Sequence, residues 1–296
     1  MPRRWMLAAL FVSAAIATCA RAANAQINPD IELNTTLMQS TFKIHGDGAQ
    51  AGSVVTGTVF LMGRPFPKDP HKGRYVLITA AHVLNEISAD SATIDLRQQT
   101  GPETWVLLPI SVPIRADGHA LWTTPPGADV AVMYIRIPTS VSIPIVSTDL
   151  LADDTTLSDY EIHPGDELEC LGYPLGLAAN SAGFPILRSG KIASYPLLPT
   201  SVTKTFLFDF RVFSGNSGGP VYFVERNRYY KGAYHLGQTI HFIIGLVSEQ
   251  ESFNQRIVTP YSQESTRYPL SLAVIVHASL IKQAIDTLPS PDTLPN

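Results

Sequence analysis

Phe213-Ser214-Gly215-Asn216-Ser217-Gly218-Gly219-Pro220 sets a serine among small residues that let the backbone turn sharply. Glycine reaches φ > 0 without steric cost and lets another group approach main-chain N–H groups closely. That setting suits a nucleophile whose own backbone also binds an anion. The N–H groups of Gly215 and Ser217 can converge on one oxygen, the arrangement that stabilises a developing oxyanion. A Gly-rich turn ahead of a strand accounts for Gly-Gly-Pro equally well. The choice rests on whether a base and an orienting carboxylate stand upstream.

Both do. Residues 74–83, Arg-Tyr-Val-Leu-Ile-Thr-Ala-Ala-His-Val, are a β-rich run that breaks into small residues and then presents His82. Residues 127–134, Gly-Ala-Asp-Val-Ala-Val-Met-Tyr, set Asp129 where a Pro/Gly-rich loop enters an apolar strand. Asp117 competes for the carboxylate role but lies in a polar turn, and His119 beside it is a turn residue. An orienting carboxylate should be shielded and fixed beside its imidazole, which favours Asp129. The order is His82, Asp129, Ser217, at separations of 47 and 88 residues.

Thr-Ala-Ala-His, Gly-Ala-Asp-Val-Ala-Val and Gly-Asn-Ser-Gly-Gly-Pro together resemble the trypsin/chymotrypsin-like serine peptidases, whose triad runs in this order. Pro164-Gly165-Asp166-Glu167, then Leu171-Gly172-Tyr173-Pro174-Leu175-Gly176, then Ser189-Gly190-Lys191-Ile192-Ala193-Ser194 are similar to the disulfide-free, HtrA-like bacterial branch. The resemblance spans residues 41–285. It implies an all-β fold of two six-stranded antiparallel β-barrels with a C-terminal helix. Residues 41–150 would form the first lobe with His82 and Asp129, 151–164 an acidic connection, and 165–276 the second lobe with Ser217. Residues 277–288, apolar at spacings of three and four, predict the helix, and 289–296 a tail with no room for the PDZ domain that HtrA proteases usually append.

The resemblance also implies roles. Ser217 attacks a peptide carbonyl, His82 takes and returns the proton, and Asp129 orients the imidazole. The N–H groups of Gly215 and Ser217 hold the oxyanion, with that of Asn216 turned aside. Ser248 resembles the segment that pairs with substrate main chain as an added strand. Arg211, Val212, Ser248, Glu249 and Gln250 would supply the pocket for the residue before the scissile bond. Val212 facing that pocket favours a small or medium aliphatic side chain, and Arg211 facing it favours an acidic one. A rim position for Arg211, paired with Asp209 or Glu249, is the preferred reading. Asn216 stands where digestive relatives carry an acid that receives a new N-terminal amine; a neutral amide cannot compensate a buried ammonium, so no zymogen cut is expected to switch this chain on.

Composition narrows the setting. Apolar content of 45%, charged content of 16%, and 20 Gly with 23 Pro favour many short strands and turns over long helices. A net charge of −4 gives no reason to expect nucleic acid or an anionic membrane as partner. Polypeptide substrates are the expected partners, and no cofactor is expected. His235 and His241 find no recognisable third ligand, so no metal is expected either. Residues 1–25 read as an export signal: Arg3 and Arg4, the apolar run 6–17, then Ala23-Asn24-Ala25 before Gln26, too short an apolar run for a membrane span. That leader predicts a periplasmic or extracellular protein. A lipoprotein at Cys19 and a twin-arginine leader are the variants. Without Cys19 the lone Cys170, in an apolar run, makes no internal disulfide and reads as a buried thiol.

Strands are expected over 41–45, 53–62, 74–79, 91–97, 105–114, 130–137 and 142–146, and then over 167–171, 186–195, 203–211, 221–225, 240–247 and 270–276. Residues 26–40 carry no clear period and read as an arm, and 63–73 as an exposed loop. The leading function is an exported serine endopeptidase. The alternatives are a catalytically silent peptidase-fold binding or scaffold protein, and an esterase, against which it counts that Gly215, Ser217 and Gly219 fall in a Gly-Gly-Pro turn and not in a nucleophile elbow on an α/β sheet.

Overall fold

The computed structural model describes residues 25–26, 32–258 and 263–293, with side chains over 32–249 and 270–293. The expected export signal, with Cys19, falls outside the described residues apart from the backbone of Ala25. No helix among the described residues is long and apolar enough to cross a membrane.

Six strands build the first lobe: β1 (Thr41–Asp47), β2 (Val54–Phe66), β3 (Asp69–Thr79), β4 (Ser91–Gly101), β5 (Thr104–Pro113) and β6 (Ala131–Tyr134). They pair antiparallel in the order β5-β4-β1-β2-β3-β6, and the short strand Ala25–Gln26 adds a seventh on β3. Among the described residues no ladder joins β5 to β6, so this sheet is open there. The second lobe closes. β7 (Glu167–Gly172), β8 (Ile186–Ile192), β9 (Thr205–Asp209), β10 (Pro220–Arg226), β11 (Thr239–Val258) and β12 (Gln263–His277) form a barrel in the order β7-β8-β9-β12-β11-β10. The expected all-β class with two antiparallel lobes and a C-terminal helix is the one observed.

Each lobe buries its own apolar cluster, one around Phe42, Phe60, Val76 and Ile94, the other around Phe206, Phe208, Phe223 and Phe242. Cys170 lies in the second, where burial pushes its thiol up to about 12, and it is the free cysteine of the described residues. Three local expectations need correction. Residues 63–73 are no loop: β2 and β3 run through them as a hairpin that turns at Pro67-Lys68. The expected strand over 142–146 is absent, although Ile143, Ile145 and Val146 are buried and the Val146 carbonyl accepts the Gly63 N–H. The arm ends in a helix, α1 (Leu33–Ser40), capped by the Glu32 carboxylate and buried through Leu33 and Leu37.

Among the contacts that bind the lobes together are two of different kinds. The C-terminal helix α4 (Ala278–Thr287), which follows α2 (Ala81–Glu86) and α3 (Asp154–Asp159) in the chain, leaves β12 of the second lobe yet sinks Leu280, Ile281, Ala284 and Ile285 into the first-lobe cluster. Beyond it, Arg64 donates to the Leu288 and Pro289 carbonyls and Arg74 to that of Pro291. The second contact is Arg97 on β4, only 4% exposed. Its guanidinium donates to the Met38, Gln39 and Thr41 carbonyls at the end of α1, and to the Gly183 carbonyl and Tyr173 hydroxyl of the second lobe. It lies 4.3 Å from the ring centroids of Phe42 and Phe184. Among the described residues it has no carboxylate partner, so helix-end carbonyls and aromatic faces carry the charge.

Arg97→Met should leave these acceptors buried and unpaired, lowering unfolding free energy by about 3 kcal/mol in urea titration. A loss under half that would show that the acceptors find water instead. His277, at the N-terminus of α4, is buried against Phe206, and burial pulls its imidazole down to about 4 despite Asp154 nearby. It is therefore neutral in the fold and protonated in the unfolded chain between about pH 6.5 and 4, so its contribution is intact above pH 6.5 and lost as pH falls through that window. The stability gap between the native chain and His277→Phe should be flat above pH 6.5 and should shift by about 3 kcal/mol against the native chain by pH 4.

Candidate active site

The hydrogen-bond register of the first lobe brings the imidazole and the carboxylate together. Thr79 at the end of β3 pairs with Ala131 at the start of β6. His82, three residues past Thr79, sits in the first turn of α2 (Ala81–Glu86), and Asp129 lies two residues ahead of Ala131. The Asp129 carboxylate accepts the His82 backbone N–H at 2.9 Å and pairs with Nδ1 at 2.7 Å. This grip fixes the ring by two points and assigns the proton to Nδ1, leaving Nε2 as the basic nitrogen.

Opposing effects set the charge states. Burial alone would depress the His82 imidazolium; the hydrogen bond and charge of Asp129, joined by the charges of Glu86 and Glu249, outweigh it and raise its pKa above the ordinary value. Burial would push the Asp129 carboxyl up, but the hydrogen bonds from His82 and Ser248 hold it below the usual carboxylate range. Asp129 is thus an anion beside a histidine that protonates more readily than a free imidazole.

The second lobe supplies the serine by the same logic. Pro220 on β10 pairs with Leu246 on β11, so Ser217, three residues before, and Ser248, two residues after, meet at one end of the pair. The Ser248 hydroxyl donates to Asp129 Oδ2 at 2.6 Å, and the Ser248 carbonyl accepts the Ser217 hydroxyl at 3.0 Å. Among the described residues no hydrogen bond joins Ser217 to His82. The structure therefore brings His82, Asp129 and Ser248 into one bonded set and attaches Ser217 to it through the Ser248 main chain. Sequence reasoning singled out Ser248 for pairing with substrate main chain and missed its hydroxyl on Asp129; a serine at a strand end carries no signal for that.

The turn around Ser217 is held from several sides. Gly215 and Gly218 have φ of 94° and 86°. A Cβ on Gly218 would stand 2.2 Å from both the Thr58 carbonyl and the Thr79 hydroxyl, so only glycine lets this turn press against the strand that leads to His82. Asn216, only 1% exposed, spends its N–H on the Phe213 carbonyl, and Gly218 spends its own on Val247. Among the described residues no acceptor meets the N–H of Gly215 or of Ser217. Thr58 on β2, which the sequence did not single out, is the hub of this contact: its N–H donates to the Ser217 carbonyl at 2.9 Å and its hydroxyl to the Gly215 carbonyl at 2.7 Å. Its hydroxyl also accepts the Tyr173 N–H, and its carbonyl the Thr79 hydroxyl.

Among the remaining candidate residues, Arg211 differs from the preferred reading in its partner. Arg211 is exposed and, among the described residues, forms no ion pair with Asp209 or Glu249; its guanidinium lies 5.0 Å from the Phe213 ring centroid, an aromatic face taking the place of the expected carboxylate. Arg188 lies over Phe210 and donates to the Arg211 carbonyl. Val212, 4% exposed, belongs to the second-lobe cluster. Glu249 is exposed within electrostatic reach of His82, and the Gln250 side chain lies outside the described residues. Among the described residues no group of three or more His, Cys, Asp or Glu side chains converges to hold a metal ion.

No protein-family model matches the chain, and no curated protein sequence does. Among solved structures it is similar to the protease Anisep from Arthrobacter nicotinovorans, at 13% identity over 87% of this chain and 98% of that one, with a TM-score of 0.48. It is also similar to the thermostable serine protease AL20 from an extremophilic microorganism, at 10% identity over 87% and 99% of the two chains, with a TM-score of 0.45. A third is the active form of the Rv3671c protease from M. tuberculosis, at 15% identity over 93% and 92%, with a TM-score of 0.43. Each of these three is a protease.

Proposed function

We propose that this chain is an exported, trypsin-like serine endopeptidase that cleaves peptide bonds through an acyl-enzyme intermediate. The observation that carries the reading is the pairing of a doubly anchored His82–Asp129 couple with two uncommitted N–H groups, those of Gly215 and Ser217, flanking one serine hydroxyl. A substrate carbonyl oxygen held by those N–H groups places its carbon in front of Ser217 Oγ. His82 Nε2 takes the hydroxyl proton as the tetrahedral adduct forms and returns it to the leaving amine; Asp129, steadied by Ser248, stabilises the imidazolium between the two transfers. Water then repeats the sequence on the acyl-enzyme. The leader read over residues 1–25 supports export, with a mature chain beginning at Gln26, which mass measurement of the secreted protein tests directly.

One observation favours a second reading, a silent binding protein of the same fold: the Ser217 hydroxyl bonds the Ser248 carbonyl and not His82. Labelling with a fluorophosphonate probe separates the two, because only an activated serine reacts. In the enzyme reading, Ser217→Ala and His82→Ala each abolish labelling and lower peptide hydrolysis by a factor on the order of 10⁴ or more, and the double variant loses little beyond either one. Losses that add would break the assignment.

The pH profile carries its own sign. His82 must be neutral to accept the proton and its pKa is raised, so the acidic limb of kcat/KM should have its midpoint above about 6.5, the ordinary imidazole value. Ser248→Ala removes a donor from Asp129, leaves more of its charge acting on His82, and should move that limb to still higher pH. An unmoved limb would mean that the Ser248 hydroxyl does not tune the pair.

A further inference from the structure

A cavity of about 200 Å³ lies where the end of α1, strands β4 and β5 and the second-lobe segment ahead of β8 meet. Exposed Gln99, Ser142 and Pro144 form its mouth, and the half-buried rings of Trp105 and Phe184 are among its walls. These rings meet edge to face, with centroids 5.4 Å apart and planes at 89°, so they make an aromatic corner. Arg97, 4% exposed, is the one charged side chain among the described residues that line the cavity. His82, Asp129 and Ser217 do not border it.

The Arg97 guanidinium has a donor and a charge left over. Of its five N–H groups, the two on Nη1 meet two acceptors and the two on Nη2 meet three. Among the described residues no acceptor meets the Nε–H. The five acceptors are all neutral oxygens. Asp95, two residues back on the same face of β4, is taken by Lys43 at 3.0 Å and His45 at 3.2 Å. Burial lowers the Arg97 pKa, and only the Tyr173 hydroxyl works against it.

We propose that this cavity binds a small organic carboxylate with a flat apolar body, an aromatic acid being the type. The carboxylate supplies the anion that Arg97 lacks and accepts its Nε–H, a charge-assisted bond. The ring of the acid stacks in the corner between Trp105 and Phe184. A cavity of about 150 Å³ is enough for benzene, so this one takes a single ring with its carboxylate. An inorganic oxyanion would leave the aromatic corner unused and find one N–H where it needs several. A neutral ring would leave the buried charge uncompensated. Arg97 and Trp105 belong to the first lobe and Phe184 to the second, so an occupant joins the interlobe seam. The site stands apart from the reaction assigned to Ser217 and does not depend on it.

Benzoate is the probe, titrated into the full secreted chain at low ionic strength while tryptophan fluorescence and the heat of binding are followed. Binding should saturate with a Kd on the order of 1 mM or tighter. Benzamide, the same shape without the charge, should bind about tenfold more weakly or worse. Ser142→Asp sets a carboxylate at the mouth and should weaken benzoate about fivefold, and Arg97→Met should abolish its binding. Trp105→Phe should remove the fluorescence change while calorimetry still records binding. Benzamide matching benzoate overturns the proposal, because the cation then plays no part. Inorganic phosphate matching benzoate overturns it too, because the rings then play none. A fluorescence change that survives in Trp105→Phe, or a titration with no saturation by about 50 mM, does the same. Should Arg97→Met fail to fold, the benzamide comparison and Ser142→Asp decide, and an unchanged benzoate affinity in Ser142→Asp counts against the site.

Discussion

Everything at the candidate site depends on Thr58. Wholly buried on a first-lobe strand, it meets the Ser217 and Gly215 carbonyls, the Tyr173 N–H and the Thr79 hydroxyl. Two of those bonds hold the serine turn against the lobe that carries His82 and Asp129. They consume the Gly215 and Ser217 carbonyls, and among the described residues no acceptor meets the N–H groups of the same two residues. A side chain on Gly218 would pry the same contact open. The chemistry of the site is thus set by an interlobe seam of backbone groups with one hydroxyl at its centre, in a region too dry for water to substitute.

The rest of the interlobe contact has a different physical character. α4 contributes an apolar face from one lobe to the core of the other. Arg97 contributes a buried cation whose acceptors are carbonyls from α1, from its neighbour β1 and from the second lobe. A cation without a carboxylate is costly to bury, and it is tolerated because five acceptors and two aromatic faces surround it. The arrangement is specific in a way that apolar contact is not: sliding either lobe would strand the charge.

Around His82 the electrostatics are uniformly anionic. Asp129, Glu86 and Glu249 all favour the imidazolium, while burial opposes it. Such a balance favours the imidazolium and makes the ring more basic, so a larger fraction of it is already protonated in mildly acidic medium. The same carboxylate oxygen that grips Nδ1 also accepts the Ser248 hydroxyl, which helps to hold Asp129 ionised. One residue of β11 thereby serves both partners, its hydroxyl on Asp129 and its carbonyl on Ser217.

The sequence by itself determined the order His82, Asp129, Ser217, the all-β class, and a C-terminal helix, expected over 277–288 and found over Ala278–Thr287, because each is written in local patterns: small residues around a reactive side chain, β-branched runs, apolar spacing of three and four. It missed α1, whose eight residues lack a strong period, and the hairpin through 63–73, whose prolines disguise paired strands. It also cut β11 at residue 247, since the mostly polar run beyond shows no apolar alternation in the sequence. The tertiary structure alone decided that Thr58 and Arg97 join the lobes, that the Ser248 hydroxyl belongs to Asp129, and that Arg211 rests on Phe213. Partners 157 or 86 residues apart, as Thr58 is from Gly215 and Arg97 from Gly183, leave no trace in local propensity. Their pairing follows only from which strands lie side by side once two cores have closed.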